Sequence, residues 1–469
     1  MQKLLLFFIL FNFCAAFAQK VDVSEPVDFA RGSNLRLIGQ QDDNFLVLTE
    51  GFSQTEIIAF NDSLKMIWKK EINFKKKQVE ILKILNSKDY FSVIYGFHQK
   101  GKTEIRIKRI GPDASNLVDS LIYSFSSIIS FNNLETAVSE NKQQLVLYNY
   151  KQENKLDWIS YNIKSFKLNN SREKDINESN LNINFEQLLI NNEGEVLLLT
   201  EFNNSRRKKN QHRIELKYFK NDSVLIYTIP LSGFVSISSL SVYDELNRQL
   251  IIGGLYAQNS VQTEGIFYAR HNLKDSVFSK IIAFEQVLLR SITGEKKKKL
   301  YGIDHLDIRD VILRRDGGLI LITEQFVNYT FTIQGNAYSD MPQSRRNDYL
   351  YENILVSSIH PDGRIHWQEV LYKNQNSEDD DGRYSSFFLL KTPSSLRFIY
   401  NENIRWTSNI FEYDVSAKGE SKRLRLSEEN DKENPDIMPE FKKAVQISAN
   451  TMFAAHIRNN KIKLVRISY

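Results

Sequence analysis

A short stretch near the start of the chain returns twice further along, and this repetition constrains the fold more than any other feature. In residues 42–50, a turn of Asp and Asn precedes an apolar run that ends in Thr-Glu. An uninterrupted apolar run between turn residues is typical of a strand buried on both faces, because a half-exposed strand would alternate. The sequence therefore predicts inner strands of a β-repeat protein, closing on the pairs Thr49-Glu50, Thr200-Glu201 and Thr323-Glu324.

A second recurring signal predicts the hairpin corners. Asp-Ser or Asp-Gly precedes a strand at five places, and Asp or Ser oxygens can accept hydrogen bonds from nearby backbone N–H groups. Each of these places is therefore predicted to be a tight turn between two strands. The predicted corners are 61–64, 118–121, 221–224, 274–277 and 361–363.

These signals divide the chain into eight units of four short strands each. Length alone suggests two or three domains, but a closed ring of repeats is one domain at any length. We predict an all-β fold, a single β-propeller domain over residues 19–469 with eight four-stranded blades, and seven blades as the alternative. The predicted units are 34–73, 79–126, 132–178, 183–230, 235–284, 307–373, 384–427 and 440–469.

The last unit has only three strands, whereas a ring must close. Residues 21–29 form a spare strand at the other end of the chain, and we predict that this strand completes the eighth blade as its outer strand. Pro26 is compatible with that position, because an outer edge strand has one side without a ladder partner.

Residues 1–18 have the pattern of a secretory signal peptide: Lys3, an apolar run, then small residues before Gln19. No other stretch is long and apolar enough for a transmembrane helix. We therefore expect an exported protein, periplasmic or extracellular, and expect it to be a monomer. A lipid anchor on Cys14 is a weaker alternative. Without this cysteine the remaining chain has none, which excludes disulfides and thiolate chemistry.

Residues 59–68, which end in Trp68, resemble the blade motif of quinoprotein-type eight-bladed propellers, and residues 357–367 are a looser copy. The leader ending in Phe-Ala before Gln19, and the strand that follows Asp316, resemble uncharacterised exported β-propeller proteins of Bacteroidetes. This resemblance implies a propeller fold and carries no known activity. A quinone cofactor is not expected, because enzymes of that kind commonly use a vicinal cysteine pair. We expect no cofactor.

The long and basic insertions all fall in one set of loops, those joining strands two to three or one blade to the next. In a propeller these loops share one face, where partners usually bind. The predicted binding face carries basic and aromatic side chains: Lys75, Lys76, Lys77, Arg206, Arg207, Lys208, Lys209, Lys296, Lys297, Tyr329, Phe331, Tyr338, Arg345, Arg346, Tyr349 and Tyr351. The competing interpretation is that these runs are solvated loops that keep the protein soluble.

Candidate sites for chemistry are sparse. Residues 377–388 fail the EF-hand spacing, because Phe388 stands where a bidentate carboxylate is required. The pair His360 and His366, on either side of a turn, is a weak metal candidate. Asp304-His305 could form an acid/base pair but lacks a nucleophile with context. We predict no catalytic residue and no metal site.

Four of the predicted corners contain Asp-Ser followed by Leu or Val. They resemble the acceptor motif for O-glycosylation in exported Bacteroidetes proteins, although turn chemistry explains the same tripeptide. The candidate glycosylation sites are Ser63, Ser120, Ser223 and Ser276.

The mild net charge, +5 for the whole chain, makes nucleic acid a poor partner. The function predicted is an exported, non-enzymatic binding or scaffold propeller whose partner is an anionic glycan or an envelope protein. The alternatives are a glycan-active enzyme of the cell envelope or extracellular space, and a purely structural envelope component.

Overall fold

A computed structural model describes residues 19–51, 54–76, 78–151, 155–175, 185–220, 223–259, 261–295, 297, 299–333, 344–404, 409–426 and 437–469. Within these ranges the strands form eight antiparallel sheets, each built on four strands. The predicted β-propeller is confirmed, with eight blades rather than seven. Each predicted repeat unit corresponds to one blade.

The chain begins with two short strands, β1 (Lys20–Val23) and β2 (Val27–Asp28), and then enters the first four blades in order. Blade 1 contains β3 (Asn34–Gln41), β4 (Asn44–Glu50), β5 (Thr55–Phe60) and β6 (Met66–Glu71). Blade 2 contains β7 (Glu80–Asn86), β8 (Phe91–Gln99), β9 (Lys102–Ile110) and β10 (Asn116–Phe125). Blade 3 contains β11 (Leu134–Val138), β12 (Gln144–Lys151), β13 (Lys155–Asn162) and β14 (Lys167–Asp175). Blade 4 contains β15 (Phe185–Ile190), β16 (Val196–Phe202), β17 (Arg213–Lys220) and β18 (Ser223–Pro230).

The remaining four blades follow the same pattern. Blade 5 contains β19 (Val235–Asp244), β20 (Gln249–Ala257), β21 (Gly265–His271) and β22 (Val277–Ala283). Blade 6 contains β23 (Leu306–Leu313), β24 (Leu319–Ile333), β25 (Ser344–Ile359) and β26 (Ile365–Leu371), with β27 (Gln375–Glu378) added to β25. Blade 7 contains β28 (Phe388–Lys391), β29 (Ser395–Asn401), β30 (Ile410–Ser416) and β31 (Ser421–Arg425). Blade 8 contains β32 (Val445–Ser448), β33 (Thr451–Arg458) and β34 (Lys461–Ser468).

The N-terminal strand closes the ring, as the sequence predicts. Strand β1 pairs antiparallel with β34, from Lys20 opposite Ser468 to Val23 opposite Val465, and so becomes the fourth strand of blade 8. Strand β2 pairs further along β34. Pro26 lies between the two short strands, where its missing N–H group interrupts no ladder.

Side-chain burial follows the position of each strand in its blade. The strands that end in Thr-Glu are the second strands, and all five central residues of β4 are buried. The fourth strands are the most exposed, and no residue of β6 is buried. The hydrophobic clusters lie between neighbouring blades; one of them joins Leu46 and Leu48 of blade 1 to Phe91 and Val93 of blade 2. The blades are therefore held together mainly by apolar packing.

The first strand of six blades carries a β-bulge, in which one extra residue has no partner on the second strand. A bulge increases local twist and redirects a side chain. In blade 6 the extra residue is Arg309, between Ile308 and Asp310. The bulge thus positions a charged side chain at the end of this blade.

The antiparallel order gives the ring two unlike faces. We call the face with the connections from second to third strands and from blade to blade the elaborated face, and the opposite one the tight-turn face. On the tight-turn face the predicted corners at 61–64, 274–277 and 361–363 are confirmed. The corner predicted at 118–121 is wrong: these residues lie within β10, because the turn already occurs at 111–115. Residues 221 and 222 lie outside the described residues.

The elaborated face carries the short helical segments of the connections. Helix α1 (Gln286–Thr293) lies between blades 5 and 6, buries Leu289 and Ile292, and ends at Gly294 with φ of 67°. Three 3₁₀ turns span Phe131–Asn133, Lys209–Gln211 and Phe441–Lys443. In the part of the chain that the structure describes, no helix has both the length and the apolar character needed to cross a membrane.

The loop insertion that carries the predicted Tyr329, Phe331, Arg345, Arg346, Tyr349 and Tyr351 is instead strand over its described residues, 328–333 and 344–352. Strands β24 and β25 extend past the blade as a hairpin, and β27 adds a third strand to it. We call residues 326–333, 344–353 and 375–378 the arm. The described strands of the arm therefore pair with one another in a small sheet, and side chains on its opposite faces meet different surroundings.

Candidate functional site

The three Thr-Glu strand ends share one local arrangement, in which the glutamate pairs with a basic side chain. Glu50 pairs with Arg36 at 2.5 Å, and Glu201 pairs with His212 Nε2 at 2.8 Å. Glu324 pairs with Arg309 Nε at 2.8 Å. Leu35 lies opposite Thr49 and Ile308 opposite Thr323, so Arg36 and Arg309 each follow the equivalent residue of the first strand.

Blade 6 differs from the other two because its glutamate is fully buried and holds a second cation. Lys373 Nζ lies 2.7 Å from Glu324 Oε1, and both side chains are 0% exposed. The hydroxyl of Ser386 donates to Glu324 Oε2 at 2.7 Å, and Lys373 also donates to Gln375 Oε1 at 2.9 Å. Since a buried charge is costly unless paired and hydrogen-bonded, this network must hold its members in fixed positions.

Tyr351 of the arm lies at the centre of three basic side chains. Arg309 is 5.6 Å, Lys373 5.7 Å and Lys442 4.9 Å from the centre of its ring. Phe326 packs beside it with ring centres 4.5 Å apart. Cations at these distances are attracted to the ring face. One tyrosine is thus approached from the first strand of blade 6, from the connection after β26 and from the 3₁₀ turn before blade 8. We call Tyr351, Arg309, Lys373 and Lys442 the Tyr351 cluster.

Lys442 brings the Tyr351 cluster to the protein surface. The residue is exposed overall, while its ammonium group lies 3.2 Å from the Tyr351 hydroxyl. Partial burial lowers the pKa of Lys442, and the neighbouring Arg309 acts in the same direction. Burial also lowers the pKa of Lys373, although the Glu324 carboxylate opposes this change. Burial raises the pKa of Tyr351.

A second layer of charges surrounds the Tyr351 cluster. Arg383 donates to Glu440 Oε1 through Nε at 2.6 Å, and Lys443 pairs with Glu440 at 2.9 Å. Gly382, with φ of 58°, passes so close to Tyr351 that a Cβ would lie 2.7 Å from the ring. The chain can therefore pack against this tyrosine only with glycine at that position.

The acidic loop 378–382 packs against the arm. The Tyr349 hydroxyl donates to Asp381 Oδ1 at 2.9 Å, and the backbone N–H of Asn347 donates to Asp379 Oδ1 at 2.8 Å. Within the described residues, no group of three His, Cys, Asp or Glu side chains is arranged to hold a metal ion. Asp379 and Asp381 anchor the loop to the arm through the two hydrogen bonds above.

The predicted aromatic residues of the arm divide between two environments. Tyr349 and Tyr351 are 8% and 6% exposed, whereas Tyr329 and Phe331 are 44% and 46% exposed. Arg346 lies 5.6 Å from the Phe331 ring and pairs with Asp348 at 2.8 Å. Of the predicted arm residues, the exposed ones are Tyr329, Phe331 and Arg345, and Tyr338 lies outside the described residues.

The basic runs do not join the Tyr351 cluster. Lys76 donates to Gln99 at 2.6 Å, and Lys297 pairs with Glu295 at 2.7 Å. Lys75, with φ of 55°, lies in the turn after blade 1. Lys209 donates to the carbonyl of Gln258 at 2.8 Å, so it fastens its own loop. Arg206, Arg207 and Lys208 are exposed, and Lys77 and Lys296 lie outside the described residues.

The candidate histidines serve other roles. His360 and His366 lie with ring centres 4.9 Å apart, and each presents Nδ1 to Arg314 at 3.3 Å. A metal ion on those nitrogens would have to displace a guanidinium group. Asp304 accepts a hydrogen bond from Gln262 at 2.8 Å.

Three of the four candidate glycosylation serines are exposed: Ser63, Ser223 and Ser276. Ser120 is partly buried within β10, where Asp119 binds Arg106 at 2.9 Å. The glycosylation hypothesis stays a prediction for all four positions.

Sequence reasoning missed Arg309, Lys373 and Lys442. Lys373 and Lys442 stand in connections with no recurring motif, and Arg309 looks like an ordinary strand residue until the bulge is known. The one usable signal is the repeated Thr-Glu pair, because a glutamate that recurs at the end of a buried strand requires a cation nearby.

No protein family and no curated protein matches this chain in sequence. Solved structures similar to it include a protein of unknown function from Bacteroides caccae, 13% identical, covering 73% of this chain and 94% of that one, with a TM-score of 0.28. Another is the β-propeller domain of the trilobed protease from Pyrococcus furiosus, 9% identical, covering 86% and 98%, with a TM-score of 0.38. A third is a quinoprotein alcohol dehydrogenase-like protein from Bacteroides thetaiotaomicron, 12% identical, covering 72% and 66%, with a TM-score of 0.31. At these TM-scores they bear on neither a ligand nor a reaction.

Proposed function

We propose that this protein is an exported, non-enzymatic binding propeller whose elaborated face takes an anionic glycan. The observation that carries the proposal is the Tyr351 cluster, where three cations meet one aromatic ring and Lys442 is exposed. A carboxylated or sulfated sugar offers both an anion for the lysine and an apolar ring face for aromatic side chains.

The buried ion pairs give this site a rigid base. Glu324 neutralises much of the charge of Arg309 and Lys373, which are hydrogen-bonded beneath Tyr351. Lys442 has no carboxylate within 4 Å among the described residues, and its ammonium group donates to the Tyr351 hydroxyl. Its charge is therefore available to a ligand. Tyr329 and Phe331 lie on the other face of the arm, because they pair with Asp348 and Arg346, and so they take no part in this site.

Affinity electrophoresis in gels that contain polygalacturonate, dextran sulfate or neutral dextran tests this proposal. We expect the protein to migrate more slowly with the two anionic polymers than with neutral dextran, and the retardation to weaken with added salt. Equal migration in all three gels would overturn the proposal and favour an envelope protein as the partner.

A glycan-active enzyme is the second candidate, and one contact favours it. Lys442 Nζ lies 3.2 Å from the Tyr351 hydroxyl, and a lysine of lowered pKa can act as a general base. Incubation with polygalacturonate followed by a reducing-end assay tests this candidate. Cleavage by the wild type but not by Tyr351→Phe would establish an enzyme, whereas an unchanged polymer would leave binding as the function.

A further inference from the structure

A cleft lies on the tight-turn face at the seam where blade 8 meets blade 1. Its volume is about 160 Å³, roughly ten times the 10–15 Å³ that one water molecule needs. Its walls come from three turns and from the last strand of the chain. We call it the seam cleft, and its polar lining consists of Gln40, Asp43, Asn61, Asp62, Ser448, Thr451, Arg466 and Ser468.

The apolar part of the seam cleft is formed by side chains from both blades. Phe45 of blade 1 and Phe453 of blade 8 stack with ring centres 3.9 Å apart and an interplanar angle of 12°. Both rings are at least nine-tenths buried, and Ile447 lines the cleft beside them. The two blades thus share one aromatic floor.

The charge of Arg466 is already balanced within the protein. Its guanidinium donates to Asp22 Oδ2 at 2.7 Å and to Asp62 Oδ1 at 2.8 Å. Asp43 adds a further carboxylate to the lining. An anionic ligand would therefore meet carboxylates with no free cation to offset them, and the seam cleft disfavours anions.

Several polar groups in the seam cleft remain available to a ligand. The side chains of Asp43, Thr451 and Ser468 make no hydrogen bond to any described residue. Asn61 Oδ1 accepts from the backbone N–H of Lys65 at 2.9 Å, which leaves its NH₂ group to donate. The lining thus offers a carboxylate acceptor, an amide donor and two hydroxyls over an apolar floor.

We propose that the seam cleft binds one neutral, hydroxyl-rich ring of the size of a monosaccharide unit. A carboxylate and an amide can hydrogen-bond neighbouring hydroxyl groups, while the less polar face of the sugar ring contacts the aromatic floor. The site lies on the opposite face from the Tyr351 cluster and involves none of its residues. It is therefore independent of the function proposed above.

Occupation of the seam cleft would also act on the closure of the ring. The lining comes from all three C-terminal strands of blade 8 and from blade 1. Arg466 binds Asp62 of blade 1 and Asp22 of the N-terminal strand, so it ties these parts together. A ligand that bridges these elements binds only the closed ring, so it stabilises the folded protein, and more so the tighter it binds.

Saturation-transfer NMR on the protein from residue 19 onward tests the proposal, with glucose, galactose, mannose and N-acetylglucosamine as neutral probes and galacturonate and glucosamine as charged ones. We expect saturation transfer to at least one neutral sugar and none to galacturonate. We further expect that sugar to raise the thermal midpoint. Asp43→Ala and Gln40→Ala should each weaken its binding at least fivefold, since both side chains are exposed and line the cleft.

The matched control is Asp89→Ala, an exposed aspartate in the corresponding turn of blade 2, which should bind like the wild type. Circular dichroism confirms that each variant is folded. Absence of transfer to every neutral sugar, transfer to glucosamine alone, or unchanged binding by both cleft variants would each overturn the proposal.

Discussion

Blades 1 and 6 end their second strands in the same dipeptide, and the two glutamates differ in what surrounds them. In blade 1, Glu50 pairs with Arg36 near the surface, where the two side chains are 16% and 36% exposed. In blade 6, Glu324 pairs with both Arg309 and Lys373, and the arm covers this network. The first arrangement belongs to the repeat, and the second adds a cation and a tyrosine that the repeat does not need.

The difference separates structural from functional features of this propeller. A single ion pair at a strand end satisfies a partly buried carboxylate, which is a requirement of the fold. Burying a second cation costs desolvation free energy, and the ion pair that it forms rarely offsets this cost. The additional lysine in blade 6 therefore points to a role beyond folding. Variants of the Glu50 pair and of the Glu324 network can test this difference.

The largest expected effect is on stability. Glu324→Gln leaves the fully buried Lys373 without a carboxylate partner, and we expect it to lower the free energy of unfolding by about 3 kcal/mol. Arg36→Met in blade 1 breaks a partly exposed pair and should cost about 1 kcal/mol or less. Urea denaturation followed by tryptophan fluorescence measures both free energies of unfolding. Equal losses of stability would show that the Glu50 pair and the Glu324 network do not differ.

Lys442→Gln should weaken binding to polygalacturonate about fivefold, because it removes the exposed cation of the Tyr351 cluster, a contact of about 1 kcal/mol. Isothermal titration calorimetry measures this change. Lys274→Gln removes another exposed lysine, on the tight-turn face, and serves as the control. If both variants lose affinity equally, the polymer binds through the net charge of the protein rather than at the Tyr351 cluster.

The pH dependence of binding follows from the lowered pKa of Lys442. A lysine is charged below its pKa, so a lowered pKa means that the charge is lost earlier as pH rises. We expect the affinity for polygalacturonate to decline with rising pH below the usual range of lysine titration. Lys442→Arg, which stays protonated, should retain affinity to higher pH; identical pH profiles would contradict this assignment.

The smallest effect is expected from the basic run of blade 4. In a ring of eight blades, blade 4 lies opposite blade 8, which Lys442 precedes, and the run makes no contact with the Tyr351 cluster in the described residues. The triple variant Arg206→Gln, Arg207→Gln, Lys208→Gln should change the affinity for polygalacturonate less than twofold at physiological salt. A larger loss than that of Lys442→Gln would move the binding site to blade 4.

The architecture could be predicted from the sequence because its signals are local. The apolar runs, the Asp-Gly and Asp-Ser corners and the spare strand at residues 21–29 each reflect a nearby backbone requirement, and all eight units coincide with blades. The same turn signal gave the wrong corner at 118–121, since Asp119 there binds Arg106 across the hairpin instead of its own backbone.

The candidate site could be predicted only in part. Tyr351 was among the predicted residues, but as part of an exposed loop, because nothing in the sequence shows that β24 and β25 continue into the arm. Its partners Lys373 and Lys442 come from connections whose paths depend on the packing of blades 6 to 8. Contacts between such distant segments have no local signal.

The salt dependence of binding tests the central claim, that the Tyr351 cluster rather than the general charge of the protein binds an anionic polymer. Each cation that contacts a polyanion contributes about one to the slope of log affinity against log salt concentration, through counterion release. With polygalacturonate, we predict that Lys442→Gln reduces the slope by about one and that Lys274→Gln leaves it unchanged. An unchanged slope for Lys442→Gln would contradict the account.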